Sequence, residues 1–181
     1  TATLLPNGKV LVAGGYGYPA GVLASAELFD PTANGGVGAF TSAGSLLHSR
    51  EMHSATLLAD GRVLYAGGDD GATGSTAAAE LYDPMTGAFS NTGSLVVERR
   101  SHSATLLPSG MVLMAGGASY GSYITSTAEL YDPSTGTFTM TDDLTSPHYG
   151  APAVGLPSGR ILISGGWSGV DLNSADLFDP A

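Results

Sequence analysis

The chain has 181 residues, 43% of them hydrophobic, enough for one sizeable core or a short array of small units. Its net charge is −10, with one lysine (Lys9) and five arginines, so no basic patch can form and neither nucleic acid nor an anionic membrane surface is expected as a partner. Cysteine is absent, which excludes disulfides, thiolate metal sites and cysteine nucleophiles, and no apolar run approaches the length of a bilayer span, so no membrane insertion is expected.

Charged residues make up only 12%, while Gly, Ser and Thr abound, a mixture that suits a turn-rich all-β protein. The opening TATLLPNGKVLVAGG lacks the basic segment and cleavage pattern of a signal peptide. Few lysines, no cysteine and much Ser, Thr and Gly point to an extracellular or cell-surface location.

Along the chain one phrase returns four times. TATLLPNG, SATLLADG, SATLLPSG and PAVGLPSG each precede a glycine pair: Gly14-Gly15, Gly67-Gly68, Gly116-Gly117 and Gly165-Gly166. The pairs are spaced 53, 49 and 49 residues apart. Each is followed by AELFDP, AELYDP, AELYDP or ADLFDP. Three markers in fixed order, four times, define a repeat protein with a period of about fifty residues.

One period reads as four short strands. SATLL and VLYAGG are separated by a turn whose Asn-Gly or Asp-Gly steps supply the positive φ a tight hairpin needs. AELYD is a third strand, ended by Asp-Pro, and Thr-Gly (Thr86-Gly87, Thr135-Gly136) turns the chain into a fourth at Phe89 or Phe138. The first copy carries four extra residues within Ala33 to Gly38, which accounts for its longer period.

Four-stranded antiparallel units at this period predict the blades of a β-propeller. Gly-Gly closing the second strand, followed by a Tyr-Asp-Pro third strand, resembles the kelch repeat, in particular the bacterial form that reads TATLLPDGKVLVAGG and AELYDP. The resemblance covers essentially the whole chain. One departure is that kelch blades usually carry Trp in the fourth strand, where Phe40, Phe89 and Phe138 stand here. It implies about four blades, near residues 1–53, 54–102, 103–151 and 152–181, the last incomplete. Such a set is expected to belong to a larger propeller or to be completed by another chain, with open strand edges available for self-association.

The repeat separates scaffold from site. Positions alike in every copy serve what all blades share. The glycine pairs are expected to let strand ends bend beside crowded neighbours. Glu27, Glu80, Glu129 and Asp176 recur at one position, and Arg50, Arg99 and His148 at another, which predicts one carboxylate–cation pair per blade. Asp30, Asp83, Asp132 and Asp179 precede proline and are read as turn formers. His53 and His102 are equivalent and predict a hydrogen bond to a neighbouring strand rather than a metal site. His48 is single, and nothing in the sequence pairs it or His148 with a nucleophile.

Positions that differ on equivalent backbone are free to serve function. After the glycine pairs the copies diverge into Tyr16 and Tyr18, Asp69 and Asp70, Tyr120 and Tyr123, and Trp167 and Asp171. The connection from strand four to the next strand one emerges on the same face and adds Asp142 and Asp143. Aromatics beside carboxylates can stack on a sugar or anchor a protein, and Trp167, the only tryptophan, is the foremost candidate.

The reading is a non-catalytic module that binds a protein or a glycan through one loop face, with no catalytic residue, cofactor or metal expected. Two alternatives stand beside it. One is the propeller of a secreted carbohydrate-active enzyme, since kelch-like propellers occur in galactose-oxidase-like copper enzymes and sialic-acid epimerases. The oxidase type needs a tyrosine cross-linked to cysteine, and cysteine is absent. The other is a purely structural spacer or assembly repeat.

Overall fold

The computed structural model describes residues 1–119, 121 and 123–179; Tyr120, a candidate site residue, and Pro180, which ends the last ADLFDP, lie outside the described residues. The fold is all-β: four antiparallel sheets, one per repeat. The first holds β1 (Ala2–Leu4), β2 (Val10–Gly17), β3 (Gly21–Asp30) and β4 (Ala39–Ser45). The second holds β5 (Ser54–Leu57), β6 (Val63–Ala66), β7 (Ala79–Asp83) and β8 (Ala88–Asn91). The third holds β9 (Ser103–Leu106), β10 (Val112–Ala115), β11 (Ala128–Asp132) and β12 (Thr137–Met140), and the fourth β13 (Ala153–Gly155), β14 (Ile161–Ser164) and β15 (Ala175–Phe178). Strand order within each sheet follows chain order, and a helical turn, Ala33–Gly36, occupies the insertion of the first repeat.

The hairpins form where turn chemistry places them. Gly8, Gly61, Gly110 and Gly159 all adopt positive φ, and Asp30, Asp83 and Asp132 accept N–H bonds from Thr32, Met85 and Ser134 two residues on.

The sheets lie side by side, β1 against β5, β5 against β9 and β9 against β13. Period-two alternation gives every sheet two apolar faces. One face, here the rear, carries Leu11, Leu64 or Leu113. The opposite front face carries Val63 and Tyr82, Val112 and Tyr131, or Ile161 and Phe178. Rear meets front at each of three seams, making three core clusters: Leu11 with Val63 and Tyr82, Leu64 with Val112 and Tyr131, and Leu113 with Ile161 and Phe178. Complete burial of such side chains is worth about 1.5–3 kcal/mol each, and it is the main force joining the sheets.

Polar staples cross the same seams. Arg50 and Glu80 are wholly buried with Nη2 and Oε1 2.6 Å apart, and Arg99 and Glu129 repeat that geometry. Each guanidinium also donates to two carbonyls: Arg50 to Gly67 (2.6 Å) and Ala78 (2.9 Å), Arg99 to Gly116 (2.7 Å) and Thr127 (3.0 Å). The carboxylates accept from the crossover backbone as well, Glu80 from Leu47 and His48, Glu129 from Val96 and Val97. The third seam uses shorter side chains on both sides. His148 Nε2 lies 3.0 Å from Asp176, and the hydroxyl of Thr145 donates to the same carboxylate.

Glu27 corrects the expected pattern of one pair per repeat. It is exposed, whereas Glu80, Glu129 and Asp176 are buried beside Arg50, Arg99 and His148.

The glycine pairs are explained by close approach. The carbonyls of Arg50, Arg99 and His148 lie over Gly14, Gly67 and Gly116, where an added Cβ would stand 2.6, 2.3 and 2.4 Å from them. The next glycine donates its N–H to that same carbonyl, Gly15 to Arg50, Gly68 to Arg99 and Gly117 to His148, at 2.7–2.8 Å. Gly165 and Gly166 continue the positive φ pattern in the fourth sheet.

Candidate functional site

Each crossover makes a sharp turn before entering its innermost strand. Met52 and Ser101 adopt left-handed φ of 52° and 50°, and the equivalent Gly150 adopts 67°. Non-glycine residues rarely do so, and here the turn is held by a backbone ladder between sheets. Ser101 N–H donates to the Met52 carbonyl and Gly150 N–H to the Ser101 carbonyl, both at 2.8 Å.

This ladder sets two rows of side chains next to each other. The inner row is Glu51, Arg100 and Tyr149, equivalent in backbone and unlike in chemistry. The outer row is Asp69, Ala118 and Trp167, the residues that follow the glycine pairs, with Tyr16 their equivalent in the first sheet. Isolated bridges couple them as Glu51 to Asp69, Arg100 to Ala118 and Tyr149 to Trp167. Trp167 is 46% exposed. The Tyr149 ring meets it edge-on with centroids 6.5 Å apart, and the Tyr149 hydroxyl donates to Met52 Sδ at 3.9 Å. Arg100 forms an ion pair with Asp69 of the preceding sheet.

The other sequence candidates fall into separate places. Tyr16 stands exposed on β2 and Tyr18 on the tip of that hairpin, and Tyr123 is exposed on the third-repeat loop. Asp171 is exposed and bridges to Trp167 through the backbone. Asp70 closes its own loop. It accepts the Thr73 hydroxyl (2.6 Å) and the N–H groups of Ala72, Thr73 and Gly74, and these bonds, the Thr73 hydroxyl first, hold its carboxyl at about 2. Asp142 and Asp143 open a cleft of about 200 Å³ with Asp176 and Asp179, and no loop aromatic lines it.

His53 and His102 lie beneath this face. His53 Nε2 is 3.0 Å from Thr1 Oγ1 and His102 Nε2 is 2.9 Å from Ser54 Oγ, each reaching the innermost strand of the preceding sheet. Burial, and then nearby positive charge, lowers both imidazoles to about 3, so they are neutral at physiological pH. Among the described residues no group of three or more His, Asp or Glu side chains could hold a metal ion.

The sequence pointed to Trp167 but not to Tyr149, Met52 or Arg100. The signal for Tyr149 and Arg100 was present: 51, 100 and 149 are one repeated position with three different residues, adjacent to the conspicuous Arg50, Arg99 and His148. What the arrangement offers chemically is a half-exposed indole braced by a tyrosine edge, the tyrosine hydroxyl in turn resting on a thioether, with a guanidinium–carboxylate pair along the same ladder.

No protein-family model matches the chain, and comparison with curated proteins returns no match.

Proposed function

We propose that the chain is a kelch-like β-propeller module that works without catalysis, at the cell surface or outside the cell, by holding a glycan or a protein on the loop face around Trp167. The observation that carries this reading is the contrast between frame and display. A backbone ladder repeated from sheet to sheet holds side chains that do not repeat, and it keeps two non-glycine residues in a strained conformation to do so. Scaffold alone has no use for that difference.

The chemistry suits a ligand with an apolar face and polar edges. An indole half open to solvent stacks on the C–H face of a sugar or on a partner's apolar side chain, and the adjacent tyrosine fixes its angle. The Arg100–Asp69 pair, its side chains 21% and 16% exposed, adds a charged element to the same ladder. The kelch-like repeat phrases, the side-by-side sheets with innermost strands adjoining, and the crossover staples support the propeller assignment.

The test is a glycan-array and pull-down comparison of the wild-type chain with Trp167→Ala and Tyr149→Ala. The reading expects ligands retained by wild type to be lost by Trp167→Ala and weakened by Tyr149→Ala, with thermal midpoints nearly unchanged. Equal retention by all three proteins overturns it.

A further inference from the structure

Met52 stands where the backbone least favours a long side chain. Its φ of 52° is left-handed, and the equivalent position in the fourth sheet is Gly150. In the third sheet it is Ser101, a small residue. The ladder asks nothing of the side chain, because Ser101 N–H donates to the Met52 carbonyl. What the thioether adds is a contact across the face: its Sδ accepts the Tyr149 hydroxyl at 3.9 Å, 97 residues away in the chain.

Through Tyr149 this contact reaches the sole tryptophan. The tyrosine ring meets Trp167 edge-on, and a backbone bridge holds the two residues side by side. The sulfur is also accessible: Met52 is 50% exposed, whereas Met114 is wholly buried. With cysteine absent, the methionine thioethers are the readily oxidised sulfur of the chain.

We propose that Met52 is a modification site, taking oxygen from a peroxide, and that its oxidation resets the Tyr149–Trp167 pair. The sulfur lone pair attacks one peroxide oxygen and the O–O bond breaks. An S–O bond forms, and the other oxygen, taking up the proton, leaves as water. The sulfur is oxidised to the sulfoxide and the peroxide is reduced. The sulfoxide oxygen enters the gap between Sδ and the Tyr149 hydroxyl, and it is polar and a far stronger acceptor than a thioether. Tyr149 re-aims its O–H toward that oxygen, and the indole loses its edge-on brace. Reduction of the sulfoxide by methionine sulfoxide reductases restores the thioether and the brace. The coupling from Met52 to Trp167 stands on this geometry alone. Its consequence, weaker holding of a ligand after oxidation, rests on the loop-face reading.

Dilute hydrogen peroxide applied to the whole chain tests this, with oxidation of each methionine followed by peptide mass spectrometry and Trp167 by its emission. Met85, 91% exposed, is expected to oxidise early without changing the emission. The emission is expected to shift in step with Met52 sulfoxide and to return on treatment with methionine sulfoxide reductases, a reversal that oxidation of the indole itself would not show. Met52→Leu is expected to abolish the response, and Met85→Leu and Met140→Leu to retain it. Should Met52→Leu melt early, Tyr149→Phe, which lacks the hydroxyl, is expected to lose the response as well. Any array glycan that the untreated chain retains is expected to be lost as Met52 oxidises. Emission unchanged at complete Met52 oxidation, an equal shift in Met52→Leu, a shift that follows Met85 or Met140, or retention indifferent to Met52 oxidation overturns the proposal. Failure of the loop-face reading looks different: the untreated chain then retains nothing, and the emission response alone decides whether Met52 governs Trp167.

Discussion

Arg99 is bonded to two sheets at once: its guanidinium sits 2.6 Å from Glu129 within the third sheet, and its carbonyl accepts the Gly68 N–H of the second at 2.8 Å. Both side chains of the pair are wholly buried. Truncating one partner strands the other charge in a medium that cannot solvate it. Arg99→Ala and Glu129→Ala are each expected to cost about 3–5 kcal/mol in denaturant unfolding, whereas the apolar double variant Arg99→Met with Glu129→Leu should cost clearly less than either. Single losses below about 1 kcal/mol would show that the staple does not hold the seam.

Gly67→Ala tests the close approach at the strand end. Left-handed backbone alone costs a non-glycine residue about 1–2 kcal/mol. Gly87 pays only that, since its φ is +69° and nothing lies within 4 Å of an added Cβ. At Gly67 the new methyl would also meet the Arg99 carbonyl at 2.3 Å. Gly67→Ala is therefore expected to lower the unfolding midpoint far more than Gly87→Ala, and equal effects would contradict the crowding argument.

Acid sensitivity follows from His53 and His102. Their folded pKa is depressed from 6.5 to about 3, so the unfolded chain binds protons first. The stability they contribute is complete above pH 6.5 and is lost as pH falls from there toward 3, by an amount on the order of a few kcal/mol for each imidazole. His102→Gln, which retains a hydrogen-bonding group toward Ser54, is expected to flatten the pH dependence of unfolding in that window. An unchanged slope would mean that the imidazole does not titrate as described.

Strand order, turns and the role of the glycine pairs were legible in the sequence because each has a local cause: Asn-Gly and Asp-Gly for hairpins, Asp-Pro for strand ends, alternating apolar residues for two-faced sheets. Glu27 shares its sequence position with Glu80 and Glu129 but not their burial, since the pairing depends on a side chain from the crossover ahead of each sheet and not on the strand itself. The ladder through Met52, Ser101 and Gly150 was invisible for a sharper reason. It joins residues 49 positions apart, and neither Met nor Ser advertises left-handed backbone. Without it, Tyr149 had no reason to be placed beside Trp167. Asp70 is a ligand candidate by its position after the glycine pair, and no local sequence signal shows that its carboxylate is engaged by the N–H groups of Ala72, Thr73 and Gly74.

For binding through the indole of the loop face the chain carries its own reporter, since Trp167 is the only tryptophan. Titrating a retained glycan or protein fragment lacking tryptophan, while recording intrinsic emission, reads that side chain directly. A saturable shift or quenching of Trp167 emission is expected, with the same midpoint as binding measured by calorimetry. Saturable binding with emission unchanged would contradict it, because the ligand would then lie elsewhere on the molecule.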